Sequence, residues 1–117
     1  MELFQPKKTK KTGPERIIQN SLISMLMLKG WGVKETHGNI YQFGFPDLYT
    51  FNKSYGTRWI EVKNPLAYSF TPAQLETFHQ FASQGVGVWI LTAATEDEYK
   101  KLFKPPNWVY FLNIMKI

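Results

Sequence analysis

The sequence predicts an α/β fold: a central mixed β-sheet flanked by helices, in the order α, β, β, β, α, β. Two observations carry most of this. Segments rich in aromatic and β-branched residues, Asp47 to Phe51 and Thr57 to Lys63, stand on either side of the short link Asn52 to Gly56, which is the pattern of an antiparallel hairpin. A helix start at Thr71 then leads into Val86-Gly87-Val88-Trp89-Ile90-Leu91, a nearly continuous apolar run of the kind that marks a strand buried on both faces.

The elements follow in order. Gly13-Pro14-Glu15 opens a helix expected over about Pro14 to Lys29, in which Ile17, Ile18, Leu22, Met25, Leu26 and Leu28 recur at helical spacing until Gly30 stops it. Pro14 suits the first turn, where its missing N–H has no partner to lose. Glu15 and Gln19, four apart, share a polar face of this helix. Val33 and Ile40-Tyr41-Gln42-Phe43 suggest strand, with His37-Gly38-Asn39 as a turn between them. Thr71-Pro72-Ala73-Gln74 offers Thr as N-cap, Pro at the first helical position and Gln at the third, so the second helix is expected from Pro72 to about Gln84. Val86 to Leu91 is expected in the sheet interior. Thr95-Glu96-Asp97-Glu98 begins a short helix to about Phe103, with its acids at the positive end of the helix dipole, and Pro105-Pro106 ends it. Trp108-Val109-Tyr110-Phe111-Leu112 reads as a last strand.

Composition narrows the class. The 117 residues suit one domain, expected over 14–117, preceded by a basic arm over 1–13. With 44% hydrophobic and 16% aromatic residues the chain can build a core, which excludes a disordered protein. The absence of cysteine excludes disulfides and a thiolate zinc site. Its longest apolar stretch, around Leu22 to Leu28, is broken by Ser24 and falls short of the roughly 20 residues of a membrane span. No charged-then-apolar leader stands at the N-terminus, so a soluble protein of the cytoplasm is expected. Lys7, Lys8, Lys10 and Lys11 account for much of the formal charge of +5. They read either as an arm that binds a polyanion by counterion release or as a solubilising terminus.

The residues hardest to explain by packing are Asp47, in Gly44-Phe45-Pro46-Asp47, and Glu61-Val62-Lys63, inside otherwise apolar strands. The two-residue period of a strand puts Trp59, Glu61 and Lys63 on one face and Ile60 and Val62 on the other. Cleaving a phosphodiester needs a hard cation to offset charge on the phosphoryl oxygens and to activate water, and such a cation prefers oxygen ligands. Asp47 and Glu61 are candidate metal ligands, with the Val62 carbonyl a third. Lys63 cannot bind a cation while charged, but it can orient or deprotonate the water or neutralise the transition state. The bland reading is an exposed strand face on which Glu61 and Lys63 pair weakly.

These residues in this order resemble the PD-(D/E)XK, or restriction-endonuclease-like, nuclease superfamily, with Pro46-Asp47 and Glu61-Val62-Lys63 as the two halves of its signature. Within it the chain is most similar to the small VRR-NUC type, found as standalone proteins in phages and as the nuclease end of larger repair enzymes. Glu15 and Gln19 on the first helix, Gly44-x-Pro46-Asp47, Glu61-Val62-Lys63 and Gln74 carry that likeness, from about Glu15 to Leu91. The resemblance implies an Mg²⁺- or Mn²⁺-dependent endodeoxyribonuclease acting as a homodimer on branched DNA, such as a Holliday junction. It also implies that Glu15 completes the metal site and that Gln74 points at the water or the phosphate.

Each carried-over role has a competitor. Glu15 suits the positive end of the helix dipole, and Gln74 is equally the returning residue of a capping box. His37 either reaches a phosphate or is simply an exposed turn residue, and His79 lies off the apolar face of the second helix. Trp59 either stacks on a base or belongs to the core. The apolar run Trp108 to Met115 is either a dimer seam or an inner strand. A catalytically inert DNA-binding or accessory module on the same fold is the alternative to the enzyme.

Overall fold

The computed structural model describes residues 13–36 and 44–115. Helix α1 (Gly13–Leu28) is followed by three strands, β1 (Gly32–Glu35), β2 (Leu48–Asn52) and β3 (Gly56–Val62). Helix α2 (Pro72–Ser83) then crosses to strand β4 (Val88–Leu91), and a short α3 (Glu96–Lys100), a 3-10 turn (Lys101–Phe103) and α4 (Trp108–Met115) complete the described chain. The sheet order is β1-β2-β3-β4. β1 and β3 both run antiparallel to β2, whereas β4 lies parallel to β3, so the sheet is mixed as expected. A helix crossover is what a parallel pair requires, and α2 supplies it.

Two apolar layers sandwich the sheet. On one side Leu22 and Leu26 of α1 pack on Leu48, Ile60, Val62 and Leu91, with Trp31 and Leu102 closing the layer. On the other, Phe78 of α2 meets Val88, Ile90, Phe70, Trp108 and Phe111. Each fully buried side chain of this size is worth about 1.5–3 kcal/mol relative to exposure. β3 divides as its period requires, with Ile60 and Val62 in the α1 layer and Trp59 in the α2 layer. Trp59, partly buried, packs against that layer through Tyr49, Phe81 and Phe45, with ring centroids 4.8, 5.4 and 5.7 Å away.

Two expectations are corrected. The run from Trp108 to Leu112 is not a strand but the start of α4. Its burial follows a helical period: Trp108 and Phe111 are buried at 3% and 9% exposure, while Val109 and Tyr110 between them are exposed. Trp108 lies edge-on to Phe78 at 5.8 Å, and this tertiary contact overrides the β-preference of the residues. Second, β4 is not interior but forms the edge of the described sheet. Asn107 covers that edge like a one-residue strand, its side chain accepting the Ile90 N–H at 2.6 Å and donating to the Ile90 carbonyl at 3.0 Å. The Ile40 to Phe43 strand and the turn at His37 fall outside the described residues. Among the described residues no helix is long and apolar enough to cross a membrane.

Candidate active site

The antiparallel register makes the site. Leu48 pairs with Ile60, so one further step along each strand sets Asp47 opposite Glu61. The Asp47 N–H donates to Glu61 Oε1 at 3.1 Å, and the Val62 N–H donates to Asp47 Oδ2 at 2.8 Å. Each acid is thereby held by the backbone of the opposite strand.

Around this pair the buried polar groups converge. Lys63, two residues beyond Glu61 and on the same face, brings its ammonium to 3.1 Å from Glu61 Oε2. Gln74 Nε2 donates to the same oxygen at 2.8 Å. The Lys63 ammonium also donates to the Ser69 carbonyl at 2.6 Å and to Gln74 Oε1 at 3.4 Å, and it lies 4.6 Å from the centre of the Phe70 ring. Asp47, Glu61, Lys63 and Gln74 are all buried, Glu61 completely. Desolvating such ions costs several kcal/mol each, and an apolar replacement is often as stable. Stability therefore gives no reason for this cluster, and the weak exposed pair that the sequence also allowed is excluded.

Gly44 fixes the approach of the Asp47 segment. Its φ is +86°, and a Cβ there would stand 2.4 Å from the Ala73 carbonyl oxygen, so only glycine lets this segment lie on the first turn of α2. From the other side, Thr36 donates through its N–H to the Asp47 carbonyl at 2.9 Å and through its hydroxyl to the Pro46 carbonyl at 2.9 Å.

Among solved structures, a VRR_NUC domain matches with a TM-score of 0.62 at 18% sequence identity, covering 80% of this chain and 98% of the other. The chain has the VRR_NUC fold. No family model and no curated protein matches the sequence. The fold expected from the ordering of Asp47, Glu61 and Lys63 is thus the fold found, at an identity low enough that only the architecture transfers.

Within this VRR_NUC fold the first helix contributes from the α1 side. Glu15 Oε1 accepts the N–H of Asn64 at 3.2 Å, which seats its carboxylate beside the residue after Lys63. Gln19 turns instead to β1: it is buried and donates to Glu35 Oε1 at 3.1 Å, which also takes a bond from Arg16 at 3.2 Å. Its own Oε1 is buried with no hydrogen-bond partner among the described residues. Lys7, Lys8, Lys10, Lys11 and His37 lie outside the described residues. His79 is exposed, with its ring edge-on to Trp108.

Among the described residues no three His, Asp or Glu side chains cluster closely enough to hold a metal alone. The donors opposed at the hairpin end are carboxylates, Asp47 and Glu61, with no sulfur or imidazole among the described groups that meet there. That set fits Mg²⁺ or Mn²⁺, since Mg²⁺ is commonly held through one or two carboxylates with water for the rest, and does not resemble a zinc site.

Sequence reasoning missed three contributors. The Ser69 carbonyl and the Asn64 N–H act through backbone atoms, which no residue type reveals. Phe70 had a signal: an aromatic residue immediately before an N-cap threonine is the first half of a hydrophobic staple, which fixes how the chain enters α2.

Proposed function

We propose that this chain is a metal-dependent, structure-selective DNA endonuclease that hydrolyses phosphodiester bonds with Mg²⁺ or Mn²⁺. One observation carries the reading: Asp47 and Glu61 are opposed across the β2–β3 register, with the buried Lys63 ammonium against Glu61. Asp47 and Glu61 hold the cation, with the Val62 carbonyl and Glu15 as further donors. Bound there, the ion supplies charge to the phosphoryl oxygens and lowers the energy needed to ionise water. Lys63 orients the attacking water and offsets negative charge as it builds on the phosphate. Gln74 holds the second oxygen of Glu61, and the N-terminus of α2 adds the positive end of its dipole.

DNA shape and phosphate contacts set selectivity, with Lys7, Lys8, Lys10, Lys11 and His37 as phosphate partners. Two copies about a two-fold axis place paired cuts on opposite strands of a four-way junction, which is Holliday junction resolution by a homodimer. The test is nicking of four-way junction, flap and linear duplex in Mg²⁺, Mn²⁺ and EDTA. Cleavage is expected with either metal, on the junction above the duplex. Cleavage that survives Asp47→Ala or Lys63→Ala overturns the assignment.

A second reading, an inert DNA-binding or accessory module on this fold, is favoured by the hydrogen bonds already made by both oxygens of Glu61. It predicts salt-sensitive DNA binding with no heat of Mn²⁺ binding in calorimetry, and metal uptake lost in Asp47→Ala excludes it.

A further inference from the structure

At the end of the sheet remote from Asp47 and Glu61, four aromatic side chains from three segments form a closed ring. Tyr55, in the β2–β3 turn, stacks on Trp31 with centroids 6.0 Å apart and planes 19° apart. It meets Phe103 edge-on at 4.8 Å, Phe103 meets Tyr99 at 5.3 Å, and the Trp31 indole N–H closes the ring onto the Tyr99 hydroxyl at 3.0 Å. Trp31 is the buried floor, whereas Tyr55 and Phe103 are 52% and 44% exposed. A core would have covered these two rings.

The two exposed rings sit in basic stretches of chain, beyond the acids Glu96, Asp97 and Glu98 that open α3, of which Glu96 pairs with Lys29. Arg58 staples the two segments together, donating to the Tyr55 carbonyl at 3.0 Å and to the Leu102 carbonyl at 2.8 Å. From Thr50 to Ile60 and from Tyr99 to Lys104 there is no Asp or Glu, yet these stretches carry Lys53, Arg58, Lys100, Lys101 and Lys104. Lys101 pairs with Glu98. Lys53 and Lys104 are exposed, take part in no ion pair among the described residues, and flank Tyr55 and Phe103 in the chain. Exposed aromatic rings with exposed cations next to them in the chain suit a ligand with π-faces and phosphates, and an acidic peptide supplies only the charge.

We propose that Tyr55 and Phe103, with Lys53 and Lys104, form a stacking platform for unpaired bases of single-stranded DNA. The turn that carries Tyr55 starts beyond Asn52, the end of β2, which is five residues from Asp47 and roughly 17 Å away at about 3.3 Å per residue. The platform is separate from the catalytic residues, so it holds a strand beside the reacting phosphate without taking part in the chemistry. It goes beyond the nuclease reading and is tested without it, because binding in EDTA needs no cleavage.

The probe is a fluorescein-labelled oligothymidylate of about 10 nucleotides, a length within the range single-strand binding folds cover. Tyr55→Leu and Phe103→Leu keep apolar bulk but remove the flat face, and each is expected to weaken binding about tenfold, while Tyr55→Phe leaves it unchanged. Lys53→Glu and Lys104→Glu are expected each to lower the slope of log affinity against log salt by about 0.7 or more. Photocrosslinking of 5-iodouracil oligonucleotide to the unaltered protein, expected at Tyr55 or Phe103, does not depend on how any variant folds. Leucine variants that bind as tightly as wild type, or crosslinks only at other residues, overturn the platform. Platform variants with reduced oligonucleotide binding in a protein that never cleaves leave the platform standing and sink the nuclease; the converse pattern does the reverse.

Discussion

Gln74 serves helix and site with one side chain: its oxygen accepts the Thr71 N–H at 3.0 Å, while its amide nitrogen donates to Glu61 Oε2 at 2.8 Å. The Thr71 hydroxyl in turn accepts the Gln74 N–H at 3.1 Å, which completes the capping box. Cap and site are therefore one structure: the capping box expected from Thr71 and Gln74 is present, and the same glutamine also reaches Glu61. The two contributions separate by mutation. Thr71→Ala removes only the cap and is expected to cost about 1 kcal/mol, with metal binding and cleavage retained. Gln74→Ala also strips a hydrogen bond from a buried carboxylate and is expected to cost about 2–3 kcal/mol. Urea unfolding of both variants measures the difference, and equal losses would show that the Glu61 bond contributes nothing.

The Glu61 and Lys63 pair makes a sharper prediction, because both side chains are at least nine-tenths buried. Lys63→Met leaves the Glu61 charge inside without its main partner and is expected to cost about 3–5 kcal/mol in EDTA. Adding Glu61→Gln to that variant removes the stranded charge, so the double variant should be more stable than Lys63→Met alone. A double-mutant cycle by urea denaturation measures the coupling, and strictly additive losses would contradict a direct interaction. All three variants are expected to be inactive, which dissociates stability from function at this site.

Asp47 offers a test of the cation with little damage to the fold. Its carboxylate accepts the Val62 N–H at 2.8 Å, and the amide oxygen of Asp47→Asn can accept the same bond. The wild-type melting temperature is expected to rise with Mn²⁺, by the equivalent of about 2.7 kcal/mol at a hundredfold excess over Kd. Asp47→Asn is expected to fold with near wild-type stability in EDTA and to lose that Mn²⁺ response. Calorimetric unfolding with and without Mn²⁺ reads both quantities, and an unaltered Mn²⁺ shift in the variant removes Asp47 from the ligand set.

What the sequence made legible was what local periodicity encodes. The shared face of Glu61 and Lys63 follows from the strand period, the hairpin from the short Asn52 to Gly56 link, and the α2 cap from Thr71 and Gln74 at the right spacing. Asp47 facing Glu61 needed the register itself, which residue types do not state. α4 was misread because Trp, Val, Tyr and Phe favour strands when taken one at a time, whereas the buried pair Trp108 and Phe111 obeys a helical spacing that was present in the chain. The edge position of β4 was hidden for another reason: Asn107 covers it from a distant segment, so its apolar run looks like that of an inner strand. Gln19, which the family likeness placed with Glu15, turns to Glu35, because one helical turn carries it from the end of β3 to the end of β1.

Gly44 is where the fold constrains the site most directly, and Gly56 provides its control. Both have positive φ, +86° and +82°. A Cβ at Gly56 meets nothing within 4 Å, so Gly56→Ala tests backbone strain alone, expected at about 1–2 kcal/mol. At Gly44 the same strain is joined by a clash at 2.4 Å with the Ala73 carbonyl, a backbone atom in the first turn of α2 that cannot rotate away. Relief requires the segment leading to Asp47 to lift off α2, and Asp47 is three residues further along. Gly44→Ala is therefore expected to cost about 3 kcal/mol or more and to weaken Mn²⁺ binding at least tenfold, because the Asp47 carboxylate moves relative to Glu61. Gly56→Ala is expected to leave Mn²⁺ affinity unchanged. Urea unfolding and Mn²⁺ calorimetry on the two variants decide the matter: equal effects would mean that the close approach of Gly44 to α2 does not position the acid.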